Sequence, residues 1–206
     1  TETKQGLRVL QQQLLARDYQ EAISYSFVEP ELQSLFTPEL DAVALQNPIS
    51  ADMAVMRTSL WPGLIQALRH NINRQQQRVR LFETGLRFIP SGTAISDLQQ
   101  QPVVAGMLYG NRHEESWVSA SEKVDFYDIK GDVESLLATT GQAEAFSFAP
   151  ATHSALHPGQ TASIIYAGEV VGIVGALHPQ LQQQLDIPHT VYLFEIMQDS
   201  VTDVRL

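Results

Sequence analysis

The sequence predicts an α+β fold: one antiparallel sheet with helices packed on it. Three observations carry this. Strand-like runs outnumber helical ones and intersperse with them along the 206 residues. The turns between them, Ala167-Gly168 above all, suit antiparallel pairing. Several stretches place apolar residues at helical spacing between capping and breaking residues. With 44% hydrophobic residues the chain can build one sizeable core or two small ones. No internal repeat divides it, so residues 1–206 read as a single domain. It opens TETKQ without methionine and stops at VTDVRL, and so reads as a segment of a longer polypeptide.

The elements follow in order. Thr3 is expected to cap a helix from about Lys4 to Arg17, with Leu7, Leu10 and Leu14 as a narrow stripe amid glutamines. "AISYSF" alternates as a strand does, with Ile23, Tyr25 and Phe27 on one face and Ala22, Ser24 and Ser26 on the other. "VEPELQSLF" is a short helix with Pro30 near its start, and "NPIS" a turn. "LWPGLIQALRHNIN" is a helix with Leu64, Ile65, Leu68 and Ile72 as its apolar stripe. "VRLFETGLRFI" is a strand with a bulge expected at Gly85. Pro90–Gln101 reads as a loop, "PVVAGMLYG" as a buried strand, and "NRHEESWVSASEK" as a polar excursion.

"DFYDIKGDVESLLATTG" is a helix capped by Asp125 or Asp128. Ile129, Val133, Leu136 and Leu137 are its core face, Gly141 its end, and the interior Gly131 suggests close packing. "TASIIYAGEVVGIVGAL" is a hairpin, "HPQLQQQL" a short helix and "TVYLFEI" a last strand.

Composition excludes several functions. Thirteen Lys+Arg against 23 Asp+Glu leave a net charge of −10, which disfavours general binding to nucleic acid or anionic membranes. The absence of cysteine removes disulfides, thiolate zinc sites and a cysteine nucleophile. No apolar run reaches the roughly 18 residues of a membrane span, and no signal peptide opens the chain.

Candidate chemistry is sparse. His153 and His157 are four apart, with His178 beyond, but "THSALHPGQ" reads as a loop and no acidic ligand sits near. The glycines of "GEVVGIVGAL" do not follow the phosphate-cradling order, and Ser59 and Ser154 lack the nucleophile-elbow pattern. Arginine is concentrated instead. Arg57, Arg69, Arg74, Arg78, Arg80 and Arg87 stand against one acid, Glu83, between residues 57 and 88. Such a zone can bind phosphate or an acidic partner, or can lie over the sheet and pair with acids elsewhere.

"NPIS", "MRTSLWPGL", "NRQQQRVRLFETGLRF", "DFYDIKGDVESLL", "LHPGQTASI" and "GIVGALHPQL" occur in one order over nearly the whole chain. In that order they resemble the catalytic-like module of bacterial phenylalanyl-tRNA synthetase β chains. The resemblance implies a class II synthetase fold inside a cytoplasmic (αβ)₂ heterotetramer of two α and two β chains. There the α chain joins phenylalanine to its tRNA with ATP and magnesium, and the β module is non-catalytic. It also implies that the first helix and the strand after it face a partner chain, giving Leu7, Leu10, Leu14, Tyr25 and Phe27 as candidate interface residues.

Working class II sites resemble one another in a strand with arginine two residues before an acid, both on one face. Here Arg80 precedes Glu83 by three, so a regular strand points them to opposite faces, and Leu81 holds the position two before Glu83. "VYLFEIMQDS" carries neither the glycines nor the arginine of the family's third motif. The strand reads as a scaffold: no catalytic, cofactor or metal site is assigned to this chain, and ATP and magnesium are expected only in the parent enzyme. Two other readings stay open. One is a regulatory domain binding a small molecule in a remnant pocket near Ser24, Tyr25 and Phe82. The other is an active ligase on a variant of the fold.

Overall fold

The computed structural model describes residues 2–92, 97–114 and 122–202. A seven-stranded sheet forms its centre, in the order β1-β4-β5-β9-β8-β7-β6. These strands are β1 (Gln20–Glu21), β4 (Arg78–Pro90), β5 (Leu98–Gly110), β6 (Phe146–Pro150), β7 (Leu156–Tyr166), β8 (Glu169–Leu177) and β9 (Val191–Met197). Only β1 runs parallel to its neighbour, β4; the other pairs are antiparallel. A separate small ribbon pairs β2 (Phe27–Val28) with β3 (Val55–Met56). The α+β class expected from the sequence therefore holds.

Helices cover both faces. On one, α2 (Pro30–Phe36), α3 (Trp61–Asn73) and α5 (Pro179–Gln184) join a core that includes Phe36, Trp61, Leu64, Leu68, Leu81, Met107 and Leu193. On the other, α1 (Glu2–Ala16), α4 (Phe126–Ala138) and α6 (Asp199–Thr202) join a second core, built on Leu10, Leu14, Phe82, Val133, Leu136 and Phe194. One sheet thus supports two cores, because alternate residues of each strand face opposite ways.

Local sequence accounts for much of this. Asp125 accepts from the Asp128 N–H and Asp128 returns a bond to the Asp125 N–H, so the two expected candidates form one reciprocal cap on α4. Ile129, Val133, Leu136 and Leu137 are buried as their spacing predicts. Ala167 and Gly168 both have positive φ, 51° and 81°, the twist of a tight turn between antiparallel strands.

Several expectations are corrected. α1 begins at Glu2, so Thr3 lies within the helix rather than at its cap. "AISYSF" is not one strand: pairing stops at Glu21 and resumes, with a different partner, at Phe27. Gly85 is no bulge. β4 and β5 pair without a break from Arg78↔Gly110 to Pro90↔Leu98. That ladder also takes Leu98–Gln101 out of the expected loop. Gly131 does not mark tight packing, since a Cβ there would meet nothing within 4 Å. Most of the polar excursion, residues 115–121, falls outside the described residues. β6 carries little strand signal in the sequence, because "FSFAP" is short and ends in proline.

Candidate functional site

β4 carries the stretch that raised the question of chemistry. Its ladder is regular, so Arg78, Arg80 and Phe82 share one face and Val79, Leu81, Glu83, Gly85 and Arg87 the other. Arg80 donates to the carbonyl oxygens of Arg17 and Arg112 on the α1/α4 side. Glu83 lies on the α3 side with Leu81, which is buried in the first core. The two charges do not converge.

Glu83 has another partner. The Arg57 guanidinium donates from Nη1 to Glu83 Oε1 at 2.8 Å, with 5% and 4% of the two side chains exposed. Ser24 completes the cluster: its N–H donates to Oε1 at 3.2 Å and its hydroxyl to Oε2 at 2.7 Å. Arg57 Nε donates to the Leu86 carbonyl at 2.7 Å. Two glycines make room. A Cβ at Gly85 would stand 2.5 Å from Arg57 Nη2, and one at Gly63 would stand 2.6 Å from Ser24 Oγ. Gly85 is therefore required by a side chain passing over it, not by a bulge. Ser24, Tyr25 and Phe82 do not form the expected pocket. Ser24 is bound to Glu83, Tyr25 is 73% exposed, and Phe82 is buried on the opposite face.

A cavity of about 320 Å³ opens one step further along the same face. Arg87, two residues past Gly85, lines it with Glu195 of β9, Ser59, Thr58, His153, Gln101 and Glu39. Glu195 is buried. Its Oε1 accepts from the Leu60 N–H at 3.2 Å and its Oε2 from Ser59 Oγ at 3.0 Å. Leu60 is the N-cap residue of α3 and has no side chain able to cap it, so a carboxylate from β9 serves the helix start instead. Burial pushes the Glu195 carboxyl above its ordinary pKa, while Arg87 and the Leu60 and Ser59 hydrogen bonds oppose that rise. Arg87 Nη1 lies 3.5 Å from Glu195 Oε2.

The histidines are local fixtures. His153, His157 and His178 each accept, at Nδ1, the backbone N–H of the residue two positions on. His153 also meets the Trp61 ring edge-on at 5.3 Å, and burial lowers its pKa against the opposing pull of Glu39. No group of three or more His, Asp and Glu residues able to hold a metal occurs among the described residues.

The arginine zone resolves mainly into internal pairing. Arg57 pairs with Glu83, Arg78 with Asp18 and Arg87 with Glu195, while Arg80 holds backbone carbonyls. On the α1/α4 face, Asp132 accepts from Arg17 at 2.6 Å and from the Tyr19 hydroxyl at 2.7 Å. Burial, with Asp132 beside it, raises the Tyr19 hydroxyl well above its ordinary pKa.

The interface candidates divide. Leu10 and Leu14 are 1% and 0% exposed within the chain's own core, which corrects their assignment to a partner face. A narrow stripe on a short helix is as well covered by α4 and α6 as by another chain. Leu7 and Phe27 are half-buried. Tyr25 remains open to solvent, as does Ile23 at 91% exposure. Among the described residues of α1 the exposed large apolar side chains are Val9 and Leu15, both off the leucine stripe. The sequence reading also missed the Arg57–Glu83 pair and Glu195. The available signals were the arginine in "MRTSLWPGL" and a lone acid inside the apolar run "VYLFEI".

A family model for the phenylalanyl tRNA synthetase beta chain CLM domain matches residues 1–197. The phenylalanine–tRNA ligase beta subunit of Pseudomonas putida is 51% identical over 205 residues, covering 100% of this chain and 26% of that protein. That of Hahella chejuensis is 49% identical over 202 residues, covering 98% and 25%. The chain spans about a quarter of the length of these curated relatives. A pyrrolysyl-tRNA synthetase structure from Desulfitobacterium hafniense superposes with a TM-score of 0.72 at 11% identity, covering 97% of this chain and 67% of that one. That likeness places the fold among class II synthetase catalytic domains.

Proposed function

Because this chain belongs to the phenylalanyl tRNA synthetase beta chain CLM family, we propose that it is a non-catalytic structural module of that enzyme's β chain. It supports (αβ)₂ assembly with an α chain and a second β chain. The parent complex attaches phenylalanine to its tRNA using ATP and magnesium in the cytoplasm, and the chemistry resides in the α chain. No helix among the described residues is long and apolar enough to cross a membrane.

One observation carries the non-catalytic reading: the acid of the motif-like strand is fully engaged inside the protein. Glu83 accepts three hydrogen bonds from Ser24 and Arg57 and is 3% exposed, so it cannot also orient a nucleotide. The open cavity beside it gives no better site for a triphosphate. Arg87 there pairs with Glu195, and Glu39 also lines the cavity, whereas a polyanion needs the opposite balance.

Assembly finds support at the sheet edge. β1 is a two-residue edge strand, and the chain continues beside β4 through the Ala22 N–H to Phe82 carbonyl bond. Along this stretch Ala22 and Ser24 turn inward while Ile23 and Tyr25 turn outward. An apolar outward face on a sheet edge suits a protein partner.

Phenylalanine-dependent ATP–pyrophosphate exchange tests the first claim: the chain alone is expected to give none, and measurable exchange overturns it. Co-expression of the full β chain with the α chain tests the second. Ile23→Lys with Tyr25→Lys is expected to shift the complex to smaller species in native mass measurements. An unchanged tetramer overturns the interface at this edge.

A further inference from the structure

We propose that the cavity on the α1/α4 face binds a nucleoside monophosphate, with its phosphate on Arg78 and Arg80 and its base on the Tyr127 ring. The cavity measures about 440 Å³, and Arg17, Arg78, Arg80, Arg112 and Tyr127 all line it. Arg78 and Arg80 stand on the opposite face of β4 from Glu83, so this cavity lies across the sheet from the motif-like acid. The proposal goes beyond the structural role above, since a module without catalysis can still hold a ligand.

The first support is charge. Four arginines meet three acids there, Asp18, Asp128 and Asp132. Each acid already has an arginine: Arg78 at 3.1 Å, Arg112 at 3.1 Å and Arg17 at 2.6 Å. Arg80 has no carboxylate within ion-pairing distance among the described residues, and its Nη groups donate to two backbone carbonyls. Among the lining groups one positive charge is therefore left over, the opposite of the balance around Arg87. Arg112 is held by Glu122 and Asp125 as well, which leaves a phosphate to Arg78 and Arg80.

The second support is unused donors. Arg78 Nε and Arg80 Nε are buried with no hydrogen-bond partner among the described residues. An orphaned buried N–H is costly. Arg78 holds Asp18 through Nη2, and that carboxylate is 70% exposed, so the pair is a weak one. Turning either guanidinium onto a phosphate gives its Nε a partner, because a phosphate can accept two parallel N–H bonds from one guanidinium. The two arginines also repel. Burial first, and the Arg78 charge next, lower the Arg80 pKa, while Asp132 and Asp18 oppose that fall. An anion between the guanidinium groups offsets the repulsion.

The third support is Tyr127. It is 77% exposed in the first turn of α4, with the Phe126 ring edge-on to it at 6.0 Å. An open aromatic ring beside a cationic wall is the combination that takes a nucleotide, base on the ring and phosphate on the arginines. The volume lies in the usual range for small-molecule sites.

The test is calorimetric titration of the intact protein with adenosine monophosphate, beside crystals soaked in it. Adenosine, inorganic phosphate and a terminally phosphorylated oligoadenylate are titrated in parallel. Adenosine and inorganic phosphate are each expected to bind about tenfold or more weakly than adenosine monophosphate. The oligoadenylate separates the two sources of such a group: tighter binding than the mononucleotide assigns the site to a strand end, and weaker or equal binding to a free nucleotide. Arg80→Met is expected to weaken adenosine monophosphate about tenfold or more. Tyr127→Ala removes an exposed side chain and is expected to bring it down to the level of inorganic phosphate. Density is expected between Arg80 and Tyr127. An empty cavity in a saturating soak overturns the proposal. So does an Arg80→Met protein that melts normally and binds unchanged, or a Tyr127→Ala protein that keeps full affinity. If Arg80→Met does not fold, Tyr127→Ala and the soak of the unaltered protein decide. Exchange activity plays no part in these readouts, so failure here leaves the structural role untouched.

Discussion

The two faces of the sheet solve the same problem differently. Each buries a carboxylate beside an arginine and a hydroxyl: Glu83 with Arg57 and Ser24 on the α3 side, Asp132 with Arg17 and Tyr19 on the α1/α4 side. The acids are equally buried, at 4% of the side chain exposed. The arginines are not: Arg57 is 5% exposed and Arg17 39%. An arginine that reaches water can be rehydrated when its acid is lost, whereas one sealed between a sheet and a ribbon cannot. The α3 face is therefore the brittle one.

The largest expected effect exploits that difference. Glu83→Ala strands a buried guanidinium and is expected to cost about 3–5 kcal/mol in urea unfolding. Asp132→Ala leaves the Tyr19 hydroxyl unpaired but frees Arg17 to water, and is expected to cost about 1–3 kcal/mol. Equal losses would break the comparison. Gly85→Ala sharpens it by disturbing Arg57 without removing a charge. A methyl group 2.5 Å from Nη2 forces the guanidinium aside, and a loss of about 1–3 kcal/mol is expected from thermal melting.

Glu195→Gln tests the cavity side of the same face through pH. The folded protein raises the Glu195 pKa, so it holds that proton more tightly than the unfolded chain does. The stability this gives is fully present below the ordinary carboxylate pKa and is lost as pH rises from there through the folded value. Melting of wild type and Glu195→Gln across mildly acid pH is expected to show wild type losing ground as pH rises, with the variant flatter. Parallel curves would remove Glu195 as the titrating group.

The smallest expected effect on folding comes from the edge. Ile23→Ser and Tyr25→Ser are expected to change stability by no more than about 0.5 kcal/mol, because both side chains already face solvent. A larger loss would show that the edge segment contributes to the α3-side core.

Periodicity and capping signals made several parts legible in the sequence. The period of two separates Arg80 from Glu83 and puts Leu81 beside Glu83, because β4 is regular along its whole length. The period of 3.6 gives the buried faces of α3 and α4, and Asp125 with Asp128 gives the start of α4. The order of motifs along the chain gives the family. These are all relations between residues a few positions apart, where backbone geometry alone sets direction.

Sequence left open what covers each face and which charges meet, and there the tertiary structure decided. The alternation of Ile23, Ser24 and Tyr25 is visible, but not that its apolar half points outward. Nor does a leucine stripe say whether α4 or another chain lies over Leu10 and Leu14. Arg57 reaches Glu83 across 26 positions and Ser59 reaches Glu195 across 136. Local rules do not reach that far. A charge inside a protein is stable only when the whole fold has brought its partner to hydrogen-bonding distance and kept water out.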